Sequence, residues 1–148
     1  MRYPTISVRQ PWAMMLALGI KEFETRSWET QHRGPLAIHA SSRMSPDDQR
    51  WFWECPEAQE ALTHYGYPDP GFLPLGAIIA VGKLFAIYPT EALEGHVTRC
   101  EQAFGDFTAG RYAWQMSGMR VLTHPIPYKG RLGIWTCEIQ LPRAAAGG

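Results

Sequence analysis

The 148-residue chain predicts an α+β fold, a mixed sheet of about five or six strands with helices inserted between them. Three observations lead there. Short segments of period-two hydrophobicity alternate with segments whose apolar residues recur every three or four positions. The run Leu75-Gly76-Ala77-Ile78-Ile79-Ala80-Val81-Gly82 has no polar side and suits a strand covered on both faces, as in a closed or tightly packed barrel. No internal repeat and no long linker divides the chain, so a single domain is expected over residues 1–143, with 144–148 a disordered tail.

Thr5–Arg9 reads as a short strand, and Pro11 stands where the first helical residue would be, its fixed φ already suited to a helix. Trp12, Met15 and Leu16 share one helical face, and Gly19 supplies a left-handed stop. From Glu22 to Trp28 the period becomes two, with Phe23, Thr25 and Ser27 on one side and Glu24, Arg26 and Trp28 on the other. After the turn at Arg33-Gly34-Pro35, Leu36–Ala40 is another strand, with His39 facing opposite to Leu36 and Ile38. Ser45-Pro46-Asp47-Asp48 has the composition of a capped helix start, and one or two helices fill 46–65. The loop Tyr65–Gly71 ends them. Thr90–Phe104 is weakly helical, and Tyr112–Met116 and Ile134–Leu141 are late strands.

Apolar residues are 45% of the chain and charged residues 19%, which fits a globular protein and excludes a disordered or fibrous one. No apolar run approaches the roughly 20 residues of a spanning helix, and the N-terminus lacks a secretory build, so no membrane association and a cytoplasmic location are expected. Cys55, Cys100 and Cys137 are too widely spaced for a C-x-x-C motif and read as reduced thiols. With no H-E-x-x-H pair, G-x-S-x-G elbow or Gly-rich phosphate loop, neither a metal nor a cofactor is expected. Net charge is zero, which argues against a clamp on a long phosphate backbone and against tight duplex DNA binding. The charge is nevertheless partitioned: residues 1–43 carry +3, 44–106 carry −7 and 107–148 carry +4. If the two ends assemble, they form a basic region with the acidic middle at its periphery.

The segment Gly19-Ile20-Lys21-Glu22-Phe23-Glu24-Thr25-Arg26 resembles the G-x-K-x-x-E-x-R signature of ASCH domains, and Arg9-Gln10-Pro11-Trp12 precedes it as it commonly does in that family. Arg33–Ser41 and the C-terminal segments Gly110–Trp114 and Ile126–Trp135 resemble the same family in the same order. The resemblance implies a PUA-like β-barrel with a cleft lined by the signature residues, and roles in RNA binding or transcription coactivation. It also implies a possible enzyme, because some small members hydrolyse cytidines acylated on the exocyclic amine. In those members a threonine stands where this chain has Glu24, and it is part of the proposed catalytic set with the motif lysine.

From the residues themselves, Lys21 at the exit of the Gly19 turn can reach a cleft, while Glu24 and Arg26 share one strand face. Two cations around one carboxylate suit a ligand with an anionic or carbonyl edge and an amine donor, the expected partner being single-stranded RNA or a small nucleotide-like molecule. The alternative is a surface ion pair with Lys21 solvated. Arg9, Trp12, Lys21, Glu24, Arg26, His39, Ser41, Tyr112 and Trp114 are the candidate ligand-binding residues, with Trp28 and Trp135 as further stacking candidates. Lys21 and Glu24 are the candidate catalytic pair if the cleft is that of an amidohydrolase. A protein-interaction module using the acidic middle is the remaining alternative.

Overall fold

The computed structural model describes residues 1–141, so the tail expected over 144–148 lies outside the described residues. Strand β1 (Arg2–Val8) leads to helix α1 (Trp12–Ala17), β2 (Phe23–Arg26) and β3 (Gly34–Ala40). Helices α2 (Pro46–Glu54) and α3 (Pro56–His64) follow, then β4 (Ala77–Pro89), α4 (Arg99–Phe104), β5 (Tyr112–Pro127) and β6 (Ile134–Glu138). The strands form one six-stranded sheet in the order β2-β5-β4-β3-β1-β6. Strands β1 and β3 run parallel, and the other neighbouring pairs are antiparallel.

Local chemistry sets the element starts. Pro11 precedes α1 as its cap residue instead of opening it, and the capping group is Gln10, whose Oε1 accepts from the Met14 amide at 3.0 Å while Nε2 donates to the Pro74 carbonyl at 2.9 Å. Gly19 ends the α1 turn at φ 76°, as expected. Ser45 and Asp48 close a reciprocal capping box on α2. Strands β4 and β5 run to 13 and 16 residues, well beyond the expected Leu75–Gly82 and Tyr112–Met116. Their pairing slips at three places, between Ile78/Ala80, Val81/Lys83 and Leu84/Ala86. Each slip moves the alternation to the other face, which erases the period-two signal.

The sheet is covered on both faces. Ile6, Val8, Leu36, Ile38 and Ile79 pack with α1 and with Phe52 and Leu62 of the helical insert, while Ala37, Ile78, Trp135 and Cys137 form a smaller cluster on the other side. The unbroken apolar run in β4 has this cause. The expected barrel closure is corrected, because β2 and β6 are free edges of an open sheet. Strand β2 has four residues, all paired to β5, and the end of β1 faces it across a seam lined by residues of both. A side chain spans that seam instead of a backbone ladder: Arg26 Nη2 donates to the Ser7 carbonyl at 2.7 Å.

Candidate functional site

A cleft of about 530 Å³ opens at this seam. Its sides are the end of β1 with Arg9, Glu24, Thr25 and Arg26 of β2, Trp12 and Trp51, and the stretch Ala103–Asp106 with Arg111. The signature residues converge here because the Gly19 turn folds the chain back, its closing bond running from the Lys21 amide to the Met15 carbonyl at 3.0 Å.

The floor is a buried charge cluster. Lys21 is 2% exposed, and its ammonium donates to the Phe23 carbonyl and lies 3.8 Å from Glu24 Oε1. Arg26 Nη2 donates to Glu24 Oε2 at 3.1 Å. The ion pair foreseen as the surface alternative therefore exists, but it is buried, and Lys21 is held instead of solvated. The remaining guanidinium donors of Arg26, Nε and Nη1, make no side-chain or backbone bond among the described residues. Glu24 Oε1 lies beyond hydrogen-bond distance of Lys21. The cleft thus presents donors and an acceptor side by side.

A second carboxylate stands behind the lysine. Glu101 Oε1 accepts from the Glu22 amide, whereas Oε2 is buried without a partner. Thr98-Arg99-Cys100-Glu101 has the spacing of a capping box, and Thr98 Oγ1 does accept from the Glu101 amide at 3.1 Å. The Glu101 side chain turns away from that box to the signature loop. Burial pushes the Lys21 ammonium below its ordinary pKa, against the opposing pull of Glu24 and Glu101, and Arg26 lowers it further. Burial likewise pushes the Glu101 carboxyl up, against the Glu22 amide and Lys21. Gly105 leaves room for the lysine, since a β-carbon there would lie 3.3 Å from Lys21 Nζ.

At the mouth, Trp12 and Trp51 are both half-buried, their ring centroids 4.7 Å apart at 43°. The Arg9 guanidinium lies 5.5 Å from the Trp12 ring centre and pairs with Asp48 at 3.3 Å. Arg111 pairs with Asp106 at 3.5 Å and donates to the Thr25 carbonyl. Four cations and two carboxylates, Glu24 and Asp106, therefore line the cleft.

Of the expected ligand residues, Arg9, Trp12, Lys21, Glu24 and Arg26 line the cleft, while His39, Ser41, Tyr112 and Trp114 do not. Trp114 is fully buried, donates to the Trp28 carbonyl at 3.2 Å and packs edge-on against the half-buried Trp28, outside the cleft lining. Tyr112 packs against the main core. The Ser41 backbone ties the chain to Val8 and Gly76. His39 is buried between Ser7 and the Tyr128 carbonyl. Trp51, Glu101, Asp106 and Arg111 were absent from the expected set. Within the acidic middle, Asp106 lines the cleft and Glu101 lies behind its floor, whereas its other carboxylates, Asp48 excepted, are exposed. Only the capping-box spacing marks any of these, and it marks a helix start.

Among the described residues no helix is long and apolar enough to cross a membrane, and no group of three or more His, Cys, Asp or Glu is placed to hold a metal ion. A 44-residue segment is 55% identical to human "Activating signal cointegrator 1" and 52% identical to its mouse counterpart, covering 29% of this chain. The chain matches only 8% of the length of those relatives. The crystal structure titled "ASCH from Zymomonas mobilis" superposes with a TM-score of 0.50 at 14% identity, over 84% of this chain and 72% of that one, a likeness of fold alone. The ASCH domain model matches residues 6–130. Together with the open six-stranded sheet and the signature-lined cleft, that match places the chain in the ASCH domain family, within the PUA-like superfamily.

Proposed function

We propose that the seam cleft binds the base of a single-stranded or monomeric nucleotide. The observation that carries this is one cleft combining partly exposed indole surface at its mouth with free guanidinium donors and a carboxylate acceptor on its floor. Aromatic rings hold unpaired bases by stacking, and paired donors and acceptors read a base edge. Arg26 would meet carbonyl or ring-nitrogen acceptors, and Glu24 Oε1 would accept from an exocyclic amine. The test is titration calorimetry with the four nucleoside 5′-monophosphates. Saturable binding lost in Arg26→Met supports the reading, and absence of binding to all four sinks it.

A second reading, hydrolysis of an acylated cytidine, draws on the buried Lys21 with its depressed pKa beside two carboxylates. Lys21 would polarise the amide carbonyl while Glu24 takes a proton from water; the water oxygen would bond to the acyl carbon, and as the carbon–nitrogen bond breaks Glu24 would hand that proton to the leaving cytidine nitrogen. Chromatography for free cytidine separates it from simple binding.

A further inference from the structure

We propose that the loop between β5 and β6 is a second contact surface for the same ligand, which is then a strand of nucleic acid whose backbone leaves the cleft across Lys129 and Arg131. The inference rests on the reading of the cleft as a base site and goes beyond it by naming a strand instead of a free nucleotide.

The loop is seated by a polar chain that begins at Ser7, a residue of the cleft wall. A carbonyl only accepts, so the 2.7 Å contact between His39 Nε2 and the Tyr128 oxygen places the ring proton on Nε2. His39 Nδ1 is then the acceptor for the Ser7 hydroxyl at 3.0 Å, and Ser7 Oγ accepts in turn from Trp135 Nε1 at 3.3 Å. The polar atoms of this chain satisfy one another, so it serves to fix geometry. Gly130 rests directly on it: a β-carbon there would lie 2.6 Å from His39 Cε1 and 2.8 Å from Ser7 Oγ. The Ser7 carbonyl, meanwhile, accepts from Arg26 in the cleft. One residue of β1 therefore has the cleft on its backbone side and the loop on its side-chain side.

What the loop presents is cationic. Lys129 and Arg131 are exposed, and neither lies within 4.0 Å of a carboxylate among the described residues. Glu138 of neighbouring β6 is engaged with the Met1 amine and Arg2. Leu132, 98% exposed between them and Gly133, offers an apolar contact for a sugar or base. Two unpaired cations on a pinned backbone beside a base-sized cleft match a phosphodiester chain entering or leaving it.

The experiment compares two probes on the full chain: nucleoside 5′-monophosphates by calorimetry, and a fluorescein-labelled mixed-sequence single-stranded RNA of about ten nucleotides by anisotropy across a salt series. The double variant Lys129→Ala/Arg131→Ala, both exposed, is expected to leave monophosphate affinity unchanged, weaken RNA binding and flatten the salt slope by about 1.4, two contacts at roughly 0.7 each. Gly130→Ala lifts the loop from its seat and is expected to act in the same direction. RNA affinity and salt slope unchanged in the double variant would overturn the inference while leaving the base site standing, as would an equal loss for both probes. If the unaltered chain binds neither probe, the base-site reading itself fails and takes this one with it.

Discussion

Replacing Arg26 with Met removes the hydrogen-bonded partner of a buried carboxylate, and its cost can be bracketed from the geometry. Glu24 has a side chain 11% exposed and receives one direct ionic hydrogen bond, from Arg26 at 3.1 Å; Lys21 stands at 3.8 Å. Stripping one partner from a fully buried pair costs about 3–5 kcal/mol, while an exposed pair contributes about 0–1 kcal/mol. Arg26 is 20% exposed, so the loss belongs between these limits, about 2–3 kcal/mol, including its bond to the Ser7 carbonyl. At roughly 2–4 °C per kcal/mol for a chain of this size, the melting temperature should fall by about 4–12 °C. Most of that penalty is the stranded carboxylate, so Glu24→Gln in the Arg26→Met background should recover at least about half of it. Thermal unfolding followed by circular dichroism at pH 7 measures both numbers. A drop under about 2 °C, or no recovery in the double variant, would mean the pair behaves as a solvated one and the buried-floor account is wrong.

Trp51→Ala should weaken monophosphate binding by roughly 5- to 150-fold, the equivalent of about 1–3 kcal/mol of stacking, with Trp51→Phe retaining most of the affinity; equal affinity for all three chains by calorimetry would remove Trp51 from the site. Glu101→Gln tests the raised carboxyl: the folded chain holds this proton above the ordinary value of 4.5, so the contribution of the group is whole below that pH and is lost as pH rises through the raised value. The glutamine variant should therefore melt with the unaltered chain near pH 4 and above it at pH 7, and a reversed or pH-independent difference refutes the assignment. Binding to long duplex DNA in about 150 mM salt should be weak with a shallow salt slope, since the net charge is zero. A steep slope with tight, sequence-blind binding would contradict it. If acylated cytidine is turned over, Glu24→Gln should bind it and release no cytidine, because the amide cannot take a proton from water at neutral pH.

The cleft was legible where its residues are close in sequence. Gly19 through Arg26 form a turn and a strand in which Glu24 and Arg26 alternate onto one face, and the structure brings Lys21, Glu24 and Arg26 to one floor. The other half of the site comes from α2 and from the α4 end, which reach the seam by long-range packing. Trp51 looks in sequence like any aromatic of an amphipathic helix, and Glu101 like a helix cap. His39 illustrates the converse: it does face opposite to Leu36 and Ile38, but that face is covered by Trp135 and the 128–133 loop, so it is buried outside the cleft.

Taken alone, the sequence determined the α+β class, the capped start of α2, the stop at Gly19 and the doubly covered β4, because each follows from bonds and periodicities within a few residues. The tertiary structure decided the length of β5, the open sheet and the second wall of the cleft. Bulges between β4 and β5 reset the alternation that a sequence pattern depends on. The four-residue β2 pairs with β5, and across the seam to β1 a single guanidinium makes the contact where no ladder forms. Such an outcome depends on how distant segments pack, which no local pattern records.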